Sequence, residues 1–195
     1  MPSSPSFPPA LAALPNWVCW RLEPDARTAR DAKVPYNPHT GRRASASNPA
    51  TWGTLAQALA CAEKYQFTGI GFVFTQESGI VGLDIDHCLV DGKPNETAAD
   101  ILLRLPPTYI EISPSGTGLH IFLRGALPAG GNRNSKHGVE MYSSARYFTM
   151  TGKGLSGSSA WRYGPPEKAP AAPKPAKKAQ PKNKPAAEEA AAVAE

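Results

Sequence analysis

The pattern of apolar and polar residues predicts short strands and a few helices along most of the chain. Strands are expected where β-branched and aromatic residues cluster between turn-forming residues. Such segments lie at residues 17–22, 69–75, 79–86, 109–113, 119–124, 139–142 and 146–151. After the first of them, the polar, arginine-rich stretch up to Arg43 carries turn signals instead. Runs of strands with few helices predict an α+β fold, with helices on one face of a mostly antiparallel sheet.

Two segments have the period of an amphipathic helix. Residues 55–65 place apolar side chains at positions i, i+3, i+4 and i+7, and Thr54 and Gln57 have the spacing of a capping box. Residues 96–105 follow a favourable N-cap residue, Asn95, and end before two prolines that stop a helix. We therefore predict one helix in each segment.

Composition confines the folded region to the middle of the chain. Residues 165–195 contain no aromatic residue and consist almost entirely of Pro, Ala, Lys and Glu. Such a segment buries too little apolar surface to offset the entropy lost on ordering, so we predict a disordered tail. For the same reason residues 1–10 are predicted to form a disordered arm. A single folded domain is therefore expected over residues 11–164.

Charge and cysteine content restrict the class of protein only slightly. The net charge is +5, of which the tail supplies +2, and a modestly basic domain is compatible with nucleic acid without establishing it. Cys19, Cys61 and Cys88 are far apart and lack a CxxC pair, which argues against a disulfide framework and against a zinc ribbon. With no long apolar run and no secretion signal, a cytoplasmic protein without a membrane partner is expected.

The sequence GLDID at residues 82–86 is the sharpest chemical feature. Side chains alternate along a strand, so Asp84 and Asp86 are predicted to share one face. Two carboxylates on one face repel each other unless a positive charge lies between them, and Mg²⁺ prefers such oxygen ligands. An exposed strand face is an equally good interpretation of this motif alone.

A Ser/Gly-rich turn and an acidic strand supply further candidates. In SPSGTGLHIF, the backbone N–H groups around Ser115 and Gly116 can bind an anion, and His120 follows on the next strand. Glu140 interrupts a later apolar strand and would add a third carboxylate. Arg146 begins the strand after it and could neutralise a triphosphate. Each residue alone is more often structural or a surface charge.

The order of these motifs resembles the archaeo-eukaryotic primase superfamily. A DxD strand, a Ser/Gly turn with His and an acidic strand match its three active-site motifs. The surrounding segments LPNWVCWRLE, KVPYNPHTGRRAS, TWGTLAQAL, GIGFVFT and EMYSSARYFTMTG resemble the N-terminal domains of phage and plasmid bifunctional primase–polymerases. The resemblance covers about residues 14–152.

The resemblance implies an RRM-like, mostly antiparallel sheet that carries the catalytic residues beside a small N-terminal α/β unit. It implies template-directed nucleotidyl transfer with two divalent ions, Mg²⁺ or Mn²⁺, in phage or plasmid DNA replication. The implied metal ligands and catalytic residues are Asp84, Asp86 and Glu140. The implied nucleotide-binding residues are Ser115, Gly116, His120, Arg146 and Lys33. The implied partners are a single-stranded DNA template, dNTP or NTP, and a separate replicative helicase.

Three other functions are compatible with parts of the pattern. A non-catalytic module for single-stranded nucleic acid, or a truncated relic of a primase–helicase, would keep the fold without turnover. A metal-dependent nuclease would share the carboxylates. A rolling-circle replication initiator needs two histidines around one apolar residue, whereas HIF supplies only His120.

Overall fold

A computed structural model describes residues 7–25, 28, 30–127, 133–134 and 137–155, without the side chains of residues 133 and 134. These residues all belong to one compact unit, Met1–Arg162. Their helices are α1 (Pro9–Ala12), α2 (Leu55–Lys64) and α3 (Glu96–Arg104). Their strands are β1 (Trp17–Asp25), β2 (Arg30–Tyr36), β3 (Gly69–Phe74), β4 (Ile80–Ile85), β5 (Leu89–Val90), β6 (Lys93–Pro94), β7 (Tyr109–Ile112), β8 (Leu119–Arg124), β9 (Arg133–Asn134), β10 (Val139–Tyr142) and β11 (Arg146–Met150). No helix among the described residues is long and apolar enough to cross a membrane.

The described strands form two main sheets where the sequence pattern predicted one. The first sheet has the order β11-β3-β1-β2 and the second β7-β8-β4-β10-β9, while β5 and β6 pair separately. Every neighbouring pair is antiparallel. The α+β class and the antiparallel pairing are therefore confirmed. The local periodicity of apolar residues does not predict the division into two sheets, because this division depends on which distant strands pair with each other.

Aromatic side chains join the two sheets. Phe74 of β3 stacks on Phe122 of β8 with ring centroids 5.8 Å apart, and it meets Phe148 of β11 edge to face at 4.7 Å. Gly82 of β4 lies beneath these rings, where an added Cβ atom would be 2.6 Å from Phe148 Cε2. The absence of a side chain at Gly82 lets β4 approach the first sheet closely.

The opposite face of the second sheet is covered by α3. Leu83 and Ile85 of β4 are buried there in a cluster that includes Ala98 of α3. Because side chains alternate, the even-numbered residues of β4 face the first sheet. Asp84 is therefore turned toward the first sheet while its two neighbours lie in the core.

The two longer helices begin as the sequence predicts. Thr54 Oγ1 accepts a hydrogen bond from the Gln57 N–H at 3.3 Å, and the Gln57 side-chain oxygen accepts one from the Thr54 N–H at 2.9 Å, which completes the capping box. Asn95 Oδ1 accepts from the Ala98 N–H at 3.0 Å. These local signals satisfy N–H groups that would otherwise lack partners at a helix start.

The segment up to Arg43 is not only loop, which corrects the sequence interpretation. Strand β2 pairs with β1 from Cys19↔Tyr36 to Asp25↔Arg30. Its side chains are mostly exposed or half-buried, so it lacks the apolar alternation that predicts a strand. Backbone pairing with β1 stabilises this polar edge strand.

The predicted disordered arm extends too far into the chain. Phe7 packs on Trp17 with ring centroids 5.1 Å apart, and Leu11 of α1 is fully buried. Trp17 Nε1 also donates to the Leu11 carbonyl oxygen at 3.2 Å. One aromatic residue and one helical turn are enough to dock this segment. Residues 1–6 of the arm and the whole predicted tail, residues 165–195, lie outside the described residues.

Candidate active site

A row of polar side chains crosses the second sheet. Glu111 of β7 lies opposite His120 of β8, His120 opposite Asp84 of β4, and Asp84 opposite Glu140 of β10. Directly paired residues in an antiparallel sheet point to the same face. All four side chains therefore lie on the face toward the first sheet. The backbone of Arg133 in β9 continues the row beside Glu140.

This row meets a cavity of about 220 Å³ that is bounded by both sheets. The second sheet contributes residues of the row, and the first contributes residues of β2 and β11. The lining residues are Lys33, Asp84, His120, Glu140, Tyr142, Arg146, Tyr147, Phe148 and Thr149. Five residues predicted from the sequence thus meet at one cavity, although the chain separates them by more than 100 positions.

Asp84 is a half-buried acid in the wall of the cavity. Burial raises the pKa of its carboxyl group, His120 and Lys33 counteract this rise, and Asp86 and Glu140 add to it. Its Oδ1 atom is buried and has no hydrogen-bond partner among the described residues. His120 Nε2 lies 3.8 Å from that oxygen, beyond hydrogen-bonding distance. A buried carboxylate oxygen without a donor is suited to a cation.

Asp86 lies beside this cavity but does not line it. Strand β4 ends at Ile85, and the exposed Asp86 donates its N–H to the Gly138 carbonyl oxygen at 2.9 Å. Its side chain lines a separate surface cavity together with His87 and His137. Among the residues that the structure describes, no group of three or more His, Cys, Asp and Glu side chains is placed to hold a metal ion. The three predicted carboxylates are therefore electrostatic neighbours, not a preassembled metal cluster.

Hydrogen bonds and ring contacts position the groups around Glu140. The Tyr142 hydroxyl donates to Glu140 Oε2 and accepts from Arg146 Nη2 at 3.2 Å. The Arg146 guanidinium also lies over the Tyr142 ring, 4.8 Å from its centroid. On the facing wall, the Tyr147 hydroxyl donates to the Lys33 carbonyl oxygen at 2.6 Å. Lys33 and Arg146 are exposed residues that form a positively charged rim of the cavity, whereas Asp84 and Glu140 give its floor negative charge.

The predicted phosphate-binding turn lies next to this cavity. Gly116 has φ +77°, which a residue with a side chain adopts only with strain. The Ser115 hydroxyl lies 2.9 Å from Ser113 Oγ and 3.1 Å from Thr117 Oγ1. Ser115 lines a second, larger cavity that shares Lys33 with the first. Ser115 and Gly116 thus do not line the cavity of Asp84.

Several residues of the site were not predicted from the sequence. Tyr147 and Thr149 line the cavity, but in the sequence they gave no chemical signal beyond strand propensity. Burial raises the pKa of the Tyr147 hydroxyl. Glu111 was not singled out because an acid within a short apolar strand usually faces solvent. Its place opposite His120 follows only from the pairing of β7 with β8.

Comparison with known proteins identifies a relative for most of the chain. No family model matches the sequence. Over 153 residues, which are 76% of the chain, it is 39% identical to the DNA Primase-polymerase of Nitratiruptor phage NrS-1. The match covers 20% of that protein, so the chain spans about a fifth of its length. This similarity supports a relationship to a phage primase–polymerase.

Proposed function

We propose that the protein is a nucleotidyltransferase that synthesises DNA on a single-stranded template, as a primase, a polymerase or both. The row of Asp84, His120 and Glu140 beside the cationic rim of the cavity carries this proposal. The similarity to a phage DNA primase–polymerase supports it independently of the geometry. We also propose the archaeo-eukaryotic primase fold, with the second sheet as its RRM-like catalytic sheet.

The incoming nucleotide would be bound mainly through its phosphates. Lys33 and Arg146 at the rim supply positive charge, and the planar guanidinium of Arg146 suits phosphate oxygens. His120 Nε2 would contact the same group from the floor. Ser115 and the backbone at Gly116 would bind phosphate oxygens from the adjoining turn. Base pairing with the template would select the nucleotide, so the protein needs no base-specific contacts.

Asp84, Asp86 and Glu140 would hold two divalent ions, Mg²⁺ or Mn²⁺. The buried Asp84 oxygen accepts no hydrogen bond from the described residues. Burial and the nearby carboxylates raise the pKa of this group, so a cation would compensate its charge. All three residues offer the hard oxygen ligands that these ions prefer. Because Mg²⁺ usually binds one or two carboxylates together with substrate phosphates, the lack of a preassembled cluster agrees with this assignment. When bound, the ions would stabilise charge on the attacking and departing oxygens.

The protein's own residues would orient the nucleotide and neutralise its charge. Asp84 and Glu140 face the cavity from adjacent strands, and Tyr142 fixes Glu140 by a hydrogen bond. No side chain of the cavity is an activated nucleophile of the serine or cysteine type among the described residues. Direct displacement by a 3′-hydroxyl therefore fits better than a covalent intermediate. In phage or plasmid replication, this reaction would take place in the host cytoplasm beside a separate helicase.

The test is synthesis by the purified protein on a single-stranded template with labelled dNTPs or NTPs and Mg²⁺ or Mn²⁺. Reactions with and without a primer separate extension from priming, and the Asp84→Ala/Asp86→Ala protein is the control. We expect products that the double substitution abolishes. Nucleotide release from DNA would instead indicate a nuclease. Intact single-strand binding without synthesis would indicate a binding module or a primase–helicase relic.

A further inference from the structure

An exposed tyrosine lies outside the candidate active site, at the end of α2. Tyr65 follows the last residue of α2 and is 46% exposed. Its ring lies against Gly41, where an added Cβ atom would be 3.0 Å from Tyr65 Cε2. The ring of Phe67 is its neighbour on another side, with the two centroids 5.9 Å apart. The protein therefore holds the Tyr65 ring in place while much of it remains open to solvent.

Lysine and arginine side chains lie around this tyrosine. The Lys64 ammonium group is 5.0 Å from the centroid of the Tyr65 ring. The turn that contains Gly41 continues into two exposed arginines, Arg42 and Arg43. Because the same turn packs on the Tyr65 ring, it brings positive charge from a distant part of the chain to the end of α2.

A third arginine extends this surface toward β2. The Arg21 guanidinium lies 4.7 Å from the centroid of the Tyr36 ring and 5.5 Å from that of the Phe67 ring. The centroids of Tyr36 and Phe67 are 4.6 Å apart, and Phe67 also contacts Tyr65. The rings and cations thus form one continuous surface. We call it the arginine–tyrosine surface, and its exposed members are Arg21, Arg42, Arg43, Lys64 and Tyr65.

The positive charge of the arginine–tyrosine surface is only partly compensated. Glu23 forms ion pairs with both Arg21 and Arg43. Neither Arg42 nor Lys64 forms an ion pair with a residue that the structure describes. Even with the exposed acid that precedes Lys64 in α2, four cations stand against two acids. Exposed charges contribute little to folding stability, so these cations are available to a negatively charged partner.

We infer that the arginine–tyrosine surface binds single-stranded DNA outside the candidate active site. Lysine and arginine neutralise phosphates, and an exposed aromatic ring provides a face on which an unpaired base stacks. In a duplex the bases stack on each other, and an acidic protein segment has no base to place on Tyr65. A single strand therefore uses both the cations and the ring. The choice of DNA over RNA rests on the proposed function, whereas the binding of a single strand does not.

The path from the candidate active site to this surface is short. Lys33, which lines the cavity of Asp84, lies on β2 three residues before Tyr36. A strand rises about 3.3 Å per residue, so the two positions are about 10 Å apart along β2. Their side chains point to opposite faces of β2, which is the outermost strand of the first sheet. A template strand that leaves the cavity beside Lys33 crosses this edge to reach the rings.

The first measurement is fluorescence anisotropy of a labelled oligothymidylate with the full-length protein in EDTA, at a series of salt concentrations. We expect Arg42→Gln/Lys64→Gln to weaken binding about tenfold at about 0.1 M salt, and to lower the slope of log K against log salt by about 1.4, because each lost phosphate contact removes about 0.7. The control, Lys93→Gln/Arg104→Gln, removes the same charge from exposed positions at and beside α3 and should stay within about twofold of the wild type. Equal weakening by both pairs would overturn the inference, because net charge alone would then explain binding.

The second measurement compares Tyr65→Ala with Tyr65→Phe in the same assay. We expect Tyr65→Ala to weaken binding roughly tenfold with an unchanged salt slope, because the stacking of one base is lost and no phosphate contact is. Tyr65→Phe keeps the ring and should bind like the wild type, and Tyr65→Ala should bind a duplex as the wild type does. Wild-type affinity of Tyr65→Ala for the single strand, or an equal loss for the duplex, would refute the stacking contact. If Tyr65→Ala failed to fold, the substitutions at the exposed Arg42 and Lys64 would still test the surface.

DNA synthesis separates this inference from the proposed function. Arg42→Gln/Lys64→Gln should raise the template concentration for half-maximal synthesis about tenfold and leave the KM for dNTP within about twofold of the wild type. Wild-type protein that binds DNA through this surface but makes no DNA would refute the proposed function and leave the surface intact. Synthesis by the wild type, together with unchanged DNA binding by the variants, would overturn the surface alone. Polyglutamate that displaced the oligothymidylate at an equal concentration of charge would indicate an acidic protein partner and would also overturn the inference.

Discussion

Gly82→Ala tests whether the close approach of β4 to the first sheet positions the candidate site. The new Cβ atom would lie 2.6 Å from Phe148 Cε2 and 2.8 Å from Phe74 Cε2. Carbon atoms attract at separations of about 3.5–4.0 Å and repel strongly at these distances. Phe74 is fully buried and Phe148 nearly so, so neither ring can move away without displacing other core residues. The strand and the rings must therefore separate.

The expected cost follows from these contacts. Overpacking a well-packed core costs about 1–3 kcal/mol, and close contact with two rings places this site in the upper part of that range. Alanine recovers about 0.4–1 kcal/mol, because it has less conformational freedom than glycine in the unfolded chain. The net loss should be about 2 kcal/mol. For a domain of this size, it corresponds to a decrease in Tm of about 4–8 °C.

Urea denaturation and thermal unfolding measure the stability of Gly82→Ala, and Gly154→Ala is the control. At Gly154 the nearest atom to an added Cβ is the Ile110 carbonyl oxygen, at 3.9 Å, so this variant should be as stable as the wild type or slightly more stable. We also expect Gly82→Ala to lose more synthetic activity than Gly154→Ala, because Asp84 lies two residues farther along the same strand. An unchanged Tm for Gly82→Ala would refute the packing argument.

Three further substitutions probe other parts of the molecule. Burial raises the pKa of Asp84. Between the unfolded pKa of about 3.9 and the raised folded pKa, the folded protein therefore binds more protons than the unfolded chain. The free energy of unfolding, measured in EDTA, should fall as pH rises through that window. Asp84→Asn should then be more stable than the wild type at pH 8 and lose this advantage below about pH 3.9, and denaturation curves that coincide at pH 8 would contradict it. Arg146→Lys keeps the charge but loses the planar group over the Tyr142 ring. The KM for dNTP should therefore rise about tenfold with little change in Tm. If steady-state kinetics gave the wild-type KM, this would argue against a phosphate contact. Thr54→Ala removes the capping box of α2 and should cost about 1 kcal/mol in urea denaturation, whereas Thr54→Ser should not; equal losses in both variants would show that the hydroxyl is not the cause.

Local sequence patterns predicted much of the fold because they report local physics. The capping box at Thr54 and the N-cap at Asn95 lie within a few residues of the helices that they begin. The strands that were predicted have a concentration of apolar residues, as in β3. Strand β2 lacked this signal because its stability comes from pairing with β1, not from its own side chains. The apolar pattern did not predict the division into two sheets for the same reason, since the division depends on contacts between distant strands.

The candidate site was predicted in part and for identifiable reasons. The alternation rule correctly separated Asp84 from the apolar residues beside it, which lie under α3. The same rule was insufficient for Asp86, because β4 ends at Ile85 and Asp86 lines a different cavity. Glu111 carried no signal because its buried partners include backbone N–H groups from a segment 40 residues away. A sequence shows which acids lie on strands, but only packing shows which of them are enclosed.

The apolar residues of the GLDID motif are as necessary to the site as its acids. A shift of one residue in the pairing of β4 would turn Asp84 toward α3 and carry Leu83 to the polar face. Burial of Leu83 and Ile85 in the α3 core opposes that shift, and Gly82 beneath the aromatic rings opposes it from the other side. A shift of one residue in either direction would also break the alignment of Asp84 with His120 and Glu140. The strand can therefore hold in the cavity a carboxylate oxygen that accepts no hydrogen bond from the described residues, because its neighbours on both faces fix the register.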